Sequence, residues 1–295
     1  MHVFVTGATG FVGAAVVQEL LAAGHTVTGL ARSDAAAAAL QAAGARVQRG
    51  TLDDLDVLTQ AAAAADGVVH TGFDHDFSRF AQNCEQDRRA IEALGAGLLG
   101  SRRPLLVTSG VALLAPGRLA TEDDAPVPVG PSYPRASEHA AAQLAARGVH
   151  VSTVRLPPSV HGEGEHGFVP MLIDFAREKG LAATVGAGTN RWAGVHRRDA
   201  ARVFRLALER GAPGARYHAV HDEGVPFSDL TAVIARRLNL PQAALTPDEA
   251  AAHFGWFAGF AGLDMAASSA QTRAVLGWAP REKGLLEDID SAYYF

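Results

Sequence analysis

TGATGFVG, residues 6–13, follows the short apolar run Val3–Phe4–Val5 and leads into VVQELLAAG, whose apolar residues recur at helical spacing; a second apolar segment, TVTGLAR, begins at Thr26. Strand, tight turn, helix and strand in that order are what a parallel sheet requires. Within the turn, Gly7 permits the sharp bend after the strand, Gly10 lets backbone approach a pyrophosphate, and Gly13 lets the helix pack closely on the sheet. Amides at the start of the helix then face the phosphates. Glycine spacing alone would serve an ordinary turn equally well; the flanking strand, helix and second strand make this one a dinucleotide cradle.

The same cycle recurs along the chain. Residues 34–43 suit a helix, 45–49 a strand, 54–65 a helix, 67–70 a strand, 83–99 a longer helix and 104–109 another strand, followed by a helix at 135–147 and a strand at 149–156. Such alternation predicts an α/β fold, a Rossmann-like doubly wound parallel sheet covered by helices on both faces. After Pro157 and Pro158 the texture changes to the polar, glycine-rich SVHGEGEHGF, and helical patterning resumes at Phe168–Lys179. The expected division is a dinucleotide-binding domain over 1–157 and mainly a smaller C-terminal substrate lobe over 158–295, with some elements returning to the large domain.

Composition narrows the function classes. The 295 residues carry 26 basic and 31 acidic side chains, a formal charge of −5, which leaves no footprint for nucleic acid or an anionic membrane. The single cysteine, Cys84, cannot form an internal disulfide and suits a reducing compartment. Neither a signal-peptide pattern nor an apolar run of membrane-spanning length is evident, so a cytoplasmic protein is expected. Amphipathic helices of the large domain allow a homodimer. Lysine is scarce: Lys179 and Lys283 are the only two.

The end of the second strand discriminates between cofactors. An NAD site offers a carboxylate to the ribose hydroxyls there, whereas an NADP site offers positive or hydroxyl groups to the extra phosphate. LARSD places Arg32 and Ser33 at that position, which favours NADP over NAD; Asp34 is either a ribose ligand in a shifted turn or the N-cap of the next helix.

Together these features resemble the extended short-chain dehydrogenase/reductase superfamily, particularly its atypical members of NAD-dependent epimerase/dehydratase-like type. TGATGFVG at 6–13 is similar to the TGxxGxxG signature, VVHTG at 68–72 to the fourth-strand VxHxAA motif, and LVTSG at 106–110 to the fifth-strand segment that carries the catalytic serine. RLPPSVHGEG at 155–164 resembles the RPxxVYGxG segment leading into the substrate lobe, and AGVHRRDAARVF at 193–204 resembles the VHVxDxAxA segment. The resemblance implies that backbone around Thr9, Gly10, Phe11 and Val12 lines pyrophosphate and that Thr51 and Leu52 flank adenine. It further implies that Thr71 lies near the nicotinamide ribose, with Pro157 and Ser159 near the nicotinamide end. The scaffold carries epimerases, dehydratases, reductases and lyases, so it does not name a substrate.

The superfamily's usual proton-transfer motif is YxxxK. Here YPRAS, residues 133–137, supplies Tyr133 but puts Ser137 where lysine belongs. Arg135 can assist the phenol only if Tyr133 precedes the helix, as Pro134 allows, because i and i+2 do not share a helix face. Ser109 and Thr108 are the candidate hydroxyls at the end of the fifth strand; one register puts Gly110 at the catalytic position and another retains Ser109, the preferred hydroxyl for orienting the substrate oxygen. Tyr133, Ser109 and Arg135 are thus the candidate catalytic residues.

His161, Glu163, Glu165 and His166 cluster in sequence, yet their flexible glycine-rich setting fits a loop over a cleft better than a metal site. His70 is expected to pack or hydrogen-bond near the cofactor, and Asp199 to cap the helix that follows His196. In HFGWFAGFAGLD, residues 253–264, the aromatics at 254, 256, 257 and 260 suit core packing, an apolar pocket wall or a partner surface. The leading functional expectation is an NADP(H)-dependent oxidoreductase acting on a small to medium, partly apolar carbonyl or alcohol. The alternatives are an epimerase or dehydratase using tightly bound nicotinamide, and a non-catalytic nucleotide-binding regulator.

Overall fold

In the first strand, β1 (His2–Thr6), Val3 and Val5 face one side of the sheet and Phe4 the other, because successive strand side chains alternate. All three are fully buried, so both faces need cover. The computed structural model, which describes residues 1–295, supplies that cover with helices on each side. From β1 the chain runs through α1 (Phe11–Ala22), β2 (Thr26–Ala31), α2 (Asp34–Ala42), β3 (Arg46–Arg49), α3 (Leu55–Ala63), β4 (Gly67–His70) and α4 (Phe80–Ala96). It continues through β5 (Leu105–Gly110), α5 (Ser137–Ala146) and β6 (Val151–Leu156).

The second half contains β7 (Ser159–His161), α6 (Phe168–Lys179), β8 (Ala182–Val185), β9 (Arg191–His196), α7 (Arg197–Arg210), β10 (Arg216–His218) and β11 (Asp222–Pro226). These are followed by α8 (Phe227–Leu238), β12 (Gln242–Leu245), α9 (Pro247–Phe254), α10 (Ala258–Ala261), α11 (Ala270–Leu276) and α12 (Leu285–Ile289).

Seven strands form one parallel sheet in the order β10-β6-β5-β4-β1-β2-β3. From β1 the chain first winds outward through β2 and β3, then returns to β4 on the other side. A crevice therefore opens between the C-terminal ends of β1 and β4, the switch point at which open α/β sheets bind ligands. On one face Val3, Val5 and Val69 pack with Val17 and Leu20 of α1 and Phe204 of α7. On the other, Phe4, Val68 and Val107 pack with Leu58, Ile91 and Leu144 from α3, α4 and α5.

A three-stranded sheet, β11-β9-β7, and a two-stranded sheet, β12-β8, build the smaller lobe around Trp192, Phe227 and Phe257. The chain does not stay there. Helix α7 returns to lie on α1, and β10 pairs with β6 at the edge of the large sheet before the chain re-enters the lobe. No helix is long and apolar enough to cross a membrane.

Candidate active site

The turn between β1 and α1 tolerates no side chain at its first and third glycines. Gly7 has φ +64°, and a Cβ on it would lie 2.6 Å from the backbone nitrogen of Gly72. A Cβ on Gly13 would lie 2.0 Å from the carbonyl oxygen of Gly7, so α1 sits directly against the turn. Gly10 precedes the first residue of α1, and no side chain caps that end. The free amides of this end face the switch-point crevice, the arrangement a pyrophosphate needs. Ser159, which opens β7 just after β6, is fully buried and its hydroxyl has no hydrogen-bond partner, leaving a polar atom free for a ligand. The residues present fit a dinucleotide.

The remaining expected cofactor residues lie along the same C-terminal edge of the sheet. Thr71 Oγ1 donates to Thr6 O at 2.7 Å, fastening the end of β4 to that of β1. Thr51 follows β3 and binds Asp54 Oδ2 through both its amide, at 2.7 Å, and its hydroxyl, at 2.9 Å. Leu52 packs at the margin of the core beneath it. Pro157 follows β6. Arg32 and Ser33 follow β2, but Ser33 Oγ already accepts from the amide of Ala36 at 3.2 Å and is the N-cap of α2. Asp34 is therefore not the cap; it lies in the first turn, paired with Arg49.

Ser109, Tyr133, Arg135 and Ser137 line a single cleft with Gly110, Glu138 and His139. Tyr133 lies outside the helix: its backbone pairs with Gly130 through two hydrogen bonds of 3.0 Å, and α5 starts only at Ser137. Arg135 is likewise outside, so the i, i+2 objection to its helping the phenol disappears. Burial pushes the Tyr133 phenol above its ordinary pKa, while the Arg135 charge pulls it back. The phenol therefore keeps its proton.

Ser137, in the lysine position, is buried and donates to Asp87 Oδ2 at 2.6 Å. It accepts in turn from Arg135 Nε at 3.2 Å. The other carboxylate oxygen of Asp87 accepts from His70 Nε2 at 3.0 Å, and His70 Nδ1 lies 2.7 Å from Thr6 Oγ1. With Nε2 donating, Nδ1 accepts from the threonine hydroxyl. A buried chain, Thr6–His70–Asp87–Ser137–Arg135, thus joins the base of the glycine turn to the cleft. Sequence reasoning named His70 but missed Asp87, which lies mid-helix among surface charges. Glu138 is not a free base, because Arg155, fully buried, donates to its two oxygens at 2.9 and 2.8 Å.

The glycine-rich loop also sorts its residues. His161 is buried with Nδ1 2.8 Å from Asp288 Oδ2, whereas His166 is exposed and sets its ring edge-on to Phe11, centroids 5.9 Å apart. The two histidines point to different neighbours, and no group of three or more His, Cys, Asp or Glu converges anywhere. Asp199 does not cap α7. His196 Nδ1 accepts from Arg198 N at 3.3 Å and does so instead; Asp199, fully buried, accepts from the amides of Arg281 and Glu282. Phe254 and Phe257 are core residues, while the exposed Trp256 meets Phe77, from the segment between β4 and α4, at 5.2 Å. That segment also meets the cleft residue Arg135, whose guanidinium carbon lies 4.5 Å over its Phe73 ring.

Comparison with known proteins corrects two expectations. The chain is 46% identical over 296 residues to the uncharacterized protein C2A9.02 of Schizosaccharomyces pombe, covering 100% of both chains. Among solved structures it is similar to MoeE5 in complex with UDP-glucose and NAD, at 23% identity and TM-score 0.75, with 99% of this chain and 97% of that one covered. It is also similar to DesIV, a dTDP-glucose 4,6-dehydratase from Streptomyces venezuelae with NAD bound, at 20% identity and TM-score 0.76, with 98% and 95% covered. The dinucleotide named in these complexes is NAD. This overturns the expectation of NADP, and the physical reason for the misreading is that the Ser33 hydroxyl is spent on its helix. The expectation of an NADP-dependent carbonyl reductase falls with it, since these neighbours are sugar-nucleotide proteins. The family model for the NAD dependent epimerase/dehydratase family matches residues 3–220, and the chain belongs to that family.

Proposed function

We propose that this chain is an NAD-dependent enzyme of epimerase or dehydratase type, acting at a secondary alcohol of a nucleotide-sugar-like substrate by transient oxidation. The observation that carries the reading is the buried hydrogen-bonded chain from Thr6, below a glycine-only cradle, to Arg135 in a cleft that also holds Ser109 and Tyr133. Bound nicotinamide supplies a reversible hydride acceptor, with no net redox change over a turnover.

The first 157 residues hold the dinucleotide and the remainder mainly forms the substrate lobe. Amides around Thr9, Gly10, Phe11 and Val12 bind pyrophosphate; Thr51 and Leu52 flank adenine; Thr71, Pro157 and Ser159 lie on the nicotinamide side. Ser109 orients the substrate oxygen by hydrogen bonding. Tyr133 exchanges the proton at that oxygen, and Arg135 stabilises negative charge on the phenol in place of the missing lysine. Guanidinium stays protonated, so Arg135 serves as fixed charge and does not relay the proton.

The test is to release and identify the nucleotide carried by purified protein, then incubate the NAD-loaded protein with UDP-glucose and dTDP-glucose. Product is followed by NMR and reduced nicotinamide by absorbance. Altered sugar without net accumulation of reduced nicotinamide is expected, and Tyr133→Phe should slow turnover by about 10²–10⁴-fold while leaving NAD affinity intact. Stoichiometric consumption of the cofactor, or failure to bind NAD, would sink the proposal.

A further inference from the structure

Arginines on α7 are mostly paired. Arg198 approaches Glu282, Arg202 binds Asp199, and Arg205 binds Glu19 and Glu209. Arg210, at the far end of the helix, has no carboxylate either but donates to Leu276 O at 3.4 Å. Arg197 has neither: half-buried at the first position of the helix, it has no carboxylate partner and donates no side-chain hydrogen bond. Its guanidinium centre lies 4.9 Å over the Phe11 ring. A cation in the first turn of a helix opposes the helix dipole, so α7 gains nothing from having it there. Its stem is partly covered while its guanidinium, seated on the ring, keeps every N–H free for a planar or phosphate anion that arrives from elsewhere.

Phe11 locates that anion. It is the first residue of α1, and its own amide belongs to the uncapped helix end above the Gly7 turn. The same ring is met edge-on by His166, at 5.9 Å, from the glycine-rich loop. That loop is fastened in place: Gly162 N donates to Tyr294 Oη at 3.0 Å, and Tyr294 Oη donates to Glu165 Oε2 at 2.5 Å. Phe11 is thus held between a cation from α7 and a loop tied to the C-terminal aromatics, with the phosphate-facing amides beside it.

We infer that Arg197 is a binding residue for the dinucleotide's pyrophosphate, a side-chain cation positioned on Phe11 that complements the backbone amides of the glycine turn. The inference rests on the proposed NAD site. It assigns to α7, an element from the second half of the chain, a direct part in holding the cofactor. Loop 162–167 keeps the Phe11 platform in position through His166.

The experiment is calorimetric titration of full-length protein with NAD and with ADP-ribose, at about 0.05 and 0.5 M salt, for wild type, Arg197→Met and Arg197→Lys. Arg197→Met is expected to weaken both ligands by roughly tenfold or more at low salt and to flatten the salt dependence, while Arg197→Lys retains most of the affinity. Thermal melting of the ligand-free variants accompanies the titrations as a control on packing. Unchanged affinity in Arg197→Met overturns the inference. So does a loss with wild-type salt dependence or with no rescue by lysine, because Arg197 would then merely support Phe11 sterically. If wild type binds neither ligand, the NAD site itself fails, a result distinct from either of these.

Discussion

Replacing Gly13 by alanine adds one methyl group at the point where α1 touches the turn that precedes it. That methyl would sit 2.0 Å from Gly7 O, 2.7 Å from Gly7 C and 2.8 Å from Thr71 Oγ1. Carbon and oxygen atoms approach comfortably to about 3.3 Å, so the helix must withdraw by roughly 1.3 Å or the turn must open. The closest obstacle is backbone, and no change of rotamer relieves it. Overpacking of this kind costs about 1–3 kcal/mol, and at about 2 °C per kcal/mol for a chain of this size the melting temperature should fall by roughly 2–6 °C. The amides that face pyrophosphate move with the helix, so NAD affinity should fall by about tenfold or more. Fluorescence titration with NADH and a thermal melt measure both effects. Gly259→Ala is the control, since a Cβ there meets nothing within 4 Å and the residue lies within α10. If Gly13→Ala binds NADH like wild type and melts within about 1 °C of it, the close-approach argument is refuted.

Asp87→Ala should destabilise the fold by about 2–6 kcal/mol in chemical denaturation, because it leaves two buried donors, His70 and Ser137, without their shared acceptor at about 1–3 kcal/mol each; a loss below about 1 kcal/mol would mean that the relay is energetically idle. Glu165 governs a pH effect: desolvation raises its carboxyl to about 8, overcoming the opposing hydrogen bond from Tyr294. Between its unfolded pKa, about 4.3, and this folded value the native state keeps a proton that the unfolded chain has released, so its contribution to stability declines as pH rises through that window. His196, pulled down to about 4 chiefly by burial, acts oppositely and only below about pH 6.5, so the Glu165 effect stands clear from there to about 8. Glu165→Gln should therefore flatten the fall of melting temperature across that upper range, and an unchanged pH profile would contradict the assignment.

The glycine turn and the strands of the large sheet were legible because their signals are local: a turn that excludes Cβ, and apolar runs of the length a doubly covered strand requires. The segments AATV and QAAL, which pair as β8 and β12, carry alanines that favour helix, and only their neighbours make them strands. The hydrogen-bonded wiring among the candidate site residues was not legible. His70 and Asp87 are 17 residues apart, and Asp87 and Ser137 are 50 apart, so their contact depends on how α4 and α5 cross the sheet. Arg197 and Phe11 meet for the same kind of reason, through the return of α7 onto α1. The cofactor was misread at a shorter range: a serine after a strand suits a phosphate and a helix cap equally well, and α2 claims it.

The excursion of the chain into the lobe and back has a bearing on how the molecule can be divided and how it forms. A fragment ending at Pro157 would have every residue of the glycine cradle, yet it would lack α7 over α1 and β10 beside β6. Phe204, which closes the core over Val3 and Val5, would be missing, and β6 would become an unpaired edge open to other chains. Such a fragment should aggregate instead of binding nucleotide. The pairing of β6 with β10 also closes a long loop, which makes it a late event in folding, after the lobe has brought its ends together. During synthesis the nucleotide site would therefore mature only once the second half of the chain has emerged.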